Sequence, residues 1–324
     1  MGQGQCIKLQ QTGGPDVLQL SPLDLAEPGP GDVRLRVHAA GLNFIDIYHR
    51  TGLYPVKLPF VPGVEAAGTI EAVGEGVSDF NVGDRVGYLG AGAYATHLNA
   101  PANRLIALPD EVGDEAAAAV LLKGLTAWML CFEVRRPNPG ESALVWAPVG
   151  GVGSLLVPWL RSLGVNVIAV TSTPEKANAA RALGANHVLM RGDDVAAGVR
   201  AITGGIGVDV SYDSVGKASQ TASLNALKPK GWWVTYGNAS GPADPVPPGQ
   251  LNQLGSLVMT RPGLFHFIAD RPSLMRGAAA LFGALAAGTL CVRISQTYGL
   301  AEASKAQEHL ASGTTQGALV IKPD

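Results

Sequence analysis

Ten residues constrain this chain more than any others: Leu144-Val145-Trp146-Ala147-Pro148-Val149-Gly150-Gly151-Val152-Gly153, an apolar run that breaks into glycines. Beyond them Val152, Leu155, Leu156, Trp159, Leu160 and Leu163 recur at i, i+3, i+4, i+7, i+8 and i+11, one face of a helix lying on a sheet. Gly164 ends that helix. The stretch therefore reads as the first strand-turn-helix of a dinucleotide-binding fold. Glycine is needed for space: a pyrophosphate reaches the backbone N–H groups at a helix start only where no Cβ intervenes, and the helix dipole favours its charge. Gly150 and Gly153, with Gly151 and Val152 between them, form the candidate cradle. The spacing Ala147-x-x-Gly150-x-x-Gly153 lacks the first glycine of the usual G-x-G-x-x-G fingerprint.

Strand and helix signals alternate from about Ser142 to Thr260. Val165–Val170 is a continuous apolar strand, Pro174–Leu183 a helix, Asn186–Met190 a strand and Asp193–Ile202 a helix. Gly207–Tyr212 is extended, Ala218–Leu227 helical, and Trp232–Tyr236 and Ser256–Thr260 extended. Such alternation implies a parallel sheet with right-handed crossovers. Pro158 falls inside the first helix, where its missing N–H and ring clash cost about 3 kcal/mol, so a kink is expected between Ser154 and Pro158.

Before Pro109 the pattern changes. Val33, Leu35, Val37 and Ala39 alternate with Arg34, Arg36 and His38 as a half-buried strand should, and Thr69–Val73 and Asp84–Leu89 look similar. Turns at Gly13-Gly14-Pro15, Pro28-Gly29-Pro30-Gly31 and Gly74-Glu75-Gly76 separate the pieces, which implies a mostly antiparallel β domain. Asp114–Cys131 is the helical passage out of it. After Thr260 come a helix at Arg271–Ala287, an extended Val292–Thr297, a helix at Ala301–Leu310 and a short strand at Ala318–Ile321. That last strand is expected to rejoin the first domain's sheet, so that the dinucleotide-binding domain is an insertion and ligand sits in the cleft. The expected division is 1–125, 126–264 and 265–324.

A chain of 324 residues, 47% of them hydrophobic, can build two cores. With a net charge of −2, 15% charged residues and no dense Lys/Arg cluster, nothing points to nucleic acid. Cys6, Cys131 and Cys291 are isolated, without metal spacing or a disulfide count, which suits a reducing cytoplasm. The start Met1-Gly2-Gln3-Gly4-Gln5-Cys6 has no apolar core of a signal peptide, and Cys6 stands where an N-myristoylation motif wants Ser or Thr. No run of about 18 apolar residues is evident to span a bilayer. Ala116–Leu122 and Ala278–Ala287, alanine-rich and short, read as buried helices. His38, His49, His97, His187, His266 and His309 show no ligand spacing.

Several ordered motifs resemble one family over nearly the whole chain. They are Ala40-Gly41-Leu42-Asn43-Phe44-Ile45-Asp46, Arg50-Thr51-Gly52-Leu53-Tyr54-Pro55, Pro62-Gly63-Val64-Glu65-Ala66-Ala67-Gly68 and Val82-Gly83-Asp84-Arg85-Val86. Leu122-Lys123-Gly124-Leu125-Thr126-Ala127, the Gly150 loop, Tyr212-Asp213-Ser214-Val215-Gly216 and Tyr236-Gly237-Asn238-Ala239-Ser240-Gly241 continue the match. Together they resemble the zinc-independent, zeta-crystallin-like quinone oxidoreductases of the medium-chain dehydrogenase/reductase superfamily. The resemblance implies an α/β protein in which a Rossmann-type doubly wound parallel sheet is inserted in a GroES-like, mainly antiparallel β domain. It implies NADPH as hydride donor, a quinone or similar enone as acceptor, and a homodimer through edge strands, here Ser256–Thr260, whose unpaired backbone groups are a ready template.

Zinc-dependent relatives use a Cys and a Gly-His-Glu motif as ligands. Here Asn43 stands for the Cys and Val64 for the His, and Glu65 alone cannot hold zinc. The resemblance places Asn43, Phe44, Tyr48, Thr126, Ser214, Tyr236, Gly237 and Asn238 among the cofactor contacts. Asn43 could hydrogen-bond the acceptor carbonyl or the cofactor, while Tyr48 could donate a proton or be a structural phenol. NAD-preferring sites carry an acid about twenty residues past the glycines. This chain has Val170-Thr171-Ser172-Thr173 there. Ser172, Thr173, Lys176 and Arg191 suit a 2′-phosphate instead. Thr173 could also simply cap the next helix, with Pro174 as its first residue, and Glu175 could meet a 2′-hydroxyl. Three readings follow: an NADPH-dependent quinone reductase, a reductase of α,β-unsaturated carbonyls, or an NADPH-binding protein without turnover.

Overall fold

The computed structural model describes residues 3–323, so Met1 and Gly2 of the leaderless start lie outside the described residues. Contacts divide the chain into two compact units. Unit 1 holds the residues up to Lys123, Leu274–Phe282 and those from Val292 on; unit 2 holds Gly124–Ser273 and Gly283–Cys291.

In chain order the elements are β1 (Gln3–Lys8), β2 (Gln19–Asp24), β3 (Asp32–Gly41), α1 (Phe44–Thr51), β4 (Glu65–Val73), β5 (Arg85–Leu89), β6 (His97–Pro101), β7 (Leu105–Ala107) and α2 (Asp114–Trp128). There follow β8 (Ser142–Trp146), α3 (Gly153–Ser162), β9 (Asn166–Thr171), α4 (Pro174–Ala182), β10 (His187–Met190), α5 (Val195–Ile202), β11 (Val208–Asp213) and α6 (Gln220–Ala226). The chain closes with β12 (Leu227–Thr235), α7 (Pro248–Gln253), β13 (Val258–Thr260), α8 (Leu264–Phe267), α9 (Arg271–Ala286), β14 (Ile294–Gly299), α10 (Ala303–Ala311) and β15 (Ala318–Lys322).

The alternation read in β3 is the alternation of the structure: Val33, Leu35, Val37 and Ala39 are buried and Arg36 is exposed. β3 pairs antiparallel with β4 and β6, and β4 with β5. The chain's last strand does rejoin this sheet, β15 pairing antiparallel with β3 through Val320 opposite Gly41 and parallel with β14. Val33, Leu35, Ile70, Val86, Leu319 and Ile321 meet in one core, so both ends of the chain share it.

Unit 2 carries a six-stranded sheet, ordered β10-β9-β8-β11-β12-β13, all parallel. Its sequence order reverses between β8 and β11, and the crevice outside the carboxyl ends at such a switch point is where ligands bind in this architecture.

Three local readings change. The edge strand β13 has three residues rather than the five of Ser256–Thr260, because Ser256 takes a left-handed conformation with φ of 57°. A helical stretch long and apolar enough to cross a membrane does exist, Asp114–Val134, formed by α2 and a following π-helix at Met129–Val134. From Ala117 to Cys131 every residue of it but Thr126 is buried in the protein, which is a core helix's pattern. α3 continues through Pro158, which has no N–H to offer the carbonyl of Ser154 one turn back.

Candidate functional site

The loop after β8 is built for a tight approach. Ala147 sits at φ 50°, the left-handed region that glycine enters freely and an L-residue enters at a cost, and it stands where the fingerprint's first glycine would be. Its carbonyl accepts the N–H of Gly150 at 3.1 Å. A Cβ on Gly153 would lie 2.2 Å from that same carbonyl, so the helix start can close on β8 only with glycine there. The N–H groups of Gly151, Val152 and Gly153 make no hydrogen bond among the described residues, and three donors at a helix start form an anion cradle.

At the end of β9, β10 runs alongside in register, Met190 opposite Thr171, which brings Arg191 beside Ser172. The N–H of Arg191 donates to the Thr171 carbonyl at 2.7 Å. Thr173 is the N-cap of α4, its hydroxyl oxygen accepting from Lys176 N–H at 3.3 Å. The Glu175 carboxyl is held below its usual range by its own backbone N–H and by the Thr173 hydroxyl. Thr173 is thus committed to the helix start, while Ser172 and Arg191 are exposed and Lys176 half-exposed.

The loops after β11 and β12 are zipped together. Tyr236 N–H donates to Asp213 O at 2.8 Å and Ser240 N–H to Val215 O at 2.8 Å. A Cβ on Gly237 would lie 2.2 Å from the Ser214 carbonyl. With its amide turned to suit both neighbours, Asn238 donates to Gly237 O at 2.9 Å and accepts from Arg261 at 3.1 Å. Burial pushes the Tyr236 hydroxyl well up, an effect its neighbour Ser214 partly offsets.

Beneath these loops lies a residue whose role the sequence reading missed. Asp213 is wholly buried. Its Oδ1 accepts from Val215 N–H (2.9 Å), Gly216 N–H (3.1 Å) and Ser219 Oγ (2.6 Å), and its Oδ2 from Ser219 Oγ (2.7 Å), Ser223 Oγ (2.7 Å) and Trp233 Nε1 (3.2 Å). A signal was available: Ser219 and Ser223 are four apart, on one face of α6.

Unit 1 contributes a second polar cluster at the start of α1, where Phe44 is the first helical residue. Asn43 is its N-cap, and its backbone N–H donates to Asp46 Oδ2 at 2.9 Å. Asp46 is fully buried and also accepts from Tyr94 Oη at 2.9 Å, while its other oxygen has no partner. Burial pushes its carboxyl up to about 7, against the pull of the Asn43 N–H and Tyr94. Asn43 Nδ2 donates to Glu65 Oε1 at 2.7 Å, Lys123 Nζ pairs with the same oxygen at 2.6 Å, and Leu122 N–H donates to Oε2 at 2.6 Å. Tyr48 is buried and packs edge-on against Tyr54, ring centroids 5.1 Å apart.

Among the described residues no three His, Cys, Asp or Glu side chains gather as a metal site needs. His38 is engaged with Asp114 at 2.7 Å, His97 with Glu71 at 3.3 Å, and His309 with the Tyr298 hydroxyl at 2.6 Å.

Residues 29–110 match the alcohol dehydrogenase GroES-like domain, and residues 151–282 the domain described as zinc-binding dehydrogenase. A mainly antiparallel sheet of the first kind joined to a parallel dinucleotide-binding sheet of the second defines a medium-chain dehydrogenase/reductase. The chain is 44% identical to a quinone oxidoreductase of Pseudomonas aeruginosa, over 98% of this chain and 99% of the relative. It is 42% identical to a 2-haloacrylate reductase of a Burkholderia species, over 97% and 98%. The crystal structure of Escherichia coli quinone oxidoreductase complexed with NADPH matches at a TM-score of 0.96 and 39% identity, covering 98% of this chain and all of that one. The chain belongs to the quinone oxidoreductase family of that superfamily.

Proposed function

We propose that this protein reduces quinones with NADPH and without a catalytic metal. The observation that carries the reading is what surrounds the glycine cradle: the strand end beside it offers Ser172, Lys176 and Arg191 and no acid, donors suited to a 2′-phosphate rather than to a ribose hydroxyl pair. The cradle itself fits a pyrophosphate, since Gly153 leaves open what a Cβ would fill. When bound, NADPH supplies a hydride. The protein's part is to fix the two reactants and keep water away. Asn43, Phe44, Tyr48 and Thr126 are assigned to the reacting end, with Tyr48 as the proton donor, and Ser214, Tyr236, Gly237 and Asn238 line the way to it.

Zinc does not fit. Asn43 and Val64 stand at the positions of the Cys and His ligands, and both oxygens of Glu65 are already engaged by Lys123, Asn43 and Leu122. We also propose a cytoplasmic homodimer formed through the β13 edge, where Met259 is exposed. A second reading, reduction of α,β-unsaturated carbonyls, is favoured by the similarity to a 2-haloacrylate reductase.

Stopped-flow oxidation of NADPH with a panel of quinones and enones tests this. Fast turnover with quinones is expected; faster turnover with enones favours the second reading, and tight binding with no oxidation overturns both. In Lys176→Ala the KM for NADPH should rise tenfold or more, as loss of a charge-assisted hydrogen bond of about 1.5–3 kcal/mol implies, with the KM for NADH unchanged. An unchanged NADPH KM removes the 2′-phosphate argument.

A further inference from the structure

Asn43 carries an amide, which can present either a donor or an acceptor to a ligand. Its surroundings leave it no choice. Both amide hydrogens face acceptors: Glu65 Oε1 at 2.7 Å and, more distantly, the Gly41 carbonyl at 3.4 Å. Whatever capacity Asn43 has left toward a ligand is that of its carbonyl oxygen.

The acceptor that dictates this is itself held in place. Glu65 is fully buried, and its Oε1 is matched by the ammonium of Lys123, only 5% exposed, at 2.6 Å. The backbone N–H of Leu122 holds Oε2 at 2.6 Å. The room for this carboxylate is reserved, because a Cβ on Gly41 would lie 2.2 Å from Glu65 Oε1 and 2.1 Å from the Ala118 carbonyl. Without Lys123 a buried carboxylate would take up a proton. A protonated Glu65 can donate as well as accept, and Asn43 would be free to turn its amide round.

We propose that Glu65 and Lys123 are a positioning pair that fixes Asn43 as a hydrogen-bond acceptor toward an N–H donor of the ligand, the carboxamide of the nicotinamide. This rests on the functional reading above. It also changes one expectation from the sequence: Asn43 set in this way cannot polarise the acceptor's carbonyl, because that task needs a donor. Lys123 supplies the positive charge that a metal supplies to Glu65's counterpart in a zinc site, and uses it to orient a side chain.

Dissociation constants of NADPH and of its 3-acetylpyridine analogue, in which a methyl group replaces the carboxamide nitrogen, are measured by titration calorimetry. The wild type should bind NADPH about tenfold more tightly than the analogue, the worth of one hydrogen bond. That ratio should fall to near one in Asn43→Ala and in Lys123→Met. Equal affinity of the wild type for the two, or a Lys123→Met protein that keeps the wild-type ratio, overturns the proposal. The comparison of wild type with Asn43→Ala stands even where Lys123→Met does not fold. A wild type that binds and oxidises NADPH with quinones yet shows a ratio of one sinks only the orienting role, whereas no binding of NADPH at all sinks the functional reading with it.

Discussion

Each unit rests on a wholly buried carboxylate, and the two are satisfied by different chemistry. Glu65 in unit 1 is matched by a cation, Lys123, together with an amide and one backbone N–H. Asp213 in unit 2 has no cation among its hydrogen-bond partners; two serine hydroxyls, an indole and two backbone N–H groups share it. A charge balanced by one opposite charge is brittle, because removing the partner strands the other in the interior. A charge spread over five dipoles degrades by steps. The brittle arrangement stands at Asn43, where one orientation has to be enforced. The distributed one lies under two loops that have to be held together along their length.

The contrast can be broken outright at Lys123. Lys123→Met should destabilise the protein by about 3–5 kcal/mol in urea unfolding, the cost of an unpaired buried charge; a loss under 1 kcal/mol would mean that the two carboxylates are not held differently. Asp46 extends the test to a buried acid with neither solution in full. Its folded-state carboxyl lies near pH 7 against an ordinary 3.8. Between these values the folded chain keeps a proton that the unfolded chain releases, so rising pH favours unfolding, and above 7 the effect is flat. Wild-type stability should therefore fall by a few kcal/mol from about pH 4 to 7, at about 1.4 kcal/mol per unit, and the fall should be missing in Asp46→Asn. Parallel stability–pH curves for the two proteins would contradict the assignment.

Smaller effects sharpen the other half. Ser219→Ala and Ser223→Ala should each cost about 1–2 kcal/mol, and the double variant less than a buried charge without donors would, since three donors remain on Asp213. A single serine variant as damaging as Lys123→Met would erase the distinction. The smallest change expected is a gain: Ala147→Gly should stabilise by about 0.5–1 kcal/mol, relief of the left-handed strain less the added freedom of the unfolded chain. A loss of stability would show that the methyl group packs usefully.

The sequence made the glycine loop, the parallel alternation and the returning strand legible, because each depends on periodicity or on residues a few positions apart. The clusters that orient the site were harder. Glu65 and Asn43 are 22 positions apart and Lys123 lies another 58 beyond Glu65, so nothing local joins them before β4, α1 and α2 have packed. Ser219 and Ser223 were marked by spacing, but Trp233 reaches Asp213 from the next strand and has no such mark. The strand read at Ser256 failed at a backbone conformation, a left-handed turn that a serine does not announce.

The π-helix at Met129–Val134 has a consequence for any homologue or variant that differs in length there. Tyr212 hydroxyl donates to the carbonyls of Leu130 (3.4 Å) and Arg135 (3.3 Å), anchoring the far side of that wide turn to β11. A π turn holds one residue more than an α turn, so deleting a single residue from it would restore ordinary winding and rotate everything upstream by about 100°. Thr126, the one half-exposed residue between Ala117 and Cys131, would swing inward and an apolar neighbour would take its place. Chain length at this point thus acts as a gauge that chooses which side chain the helix shows.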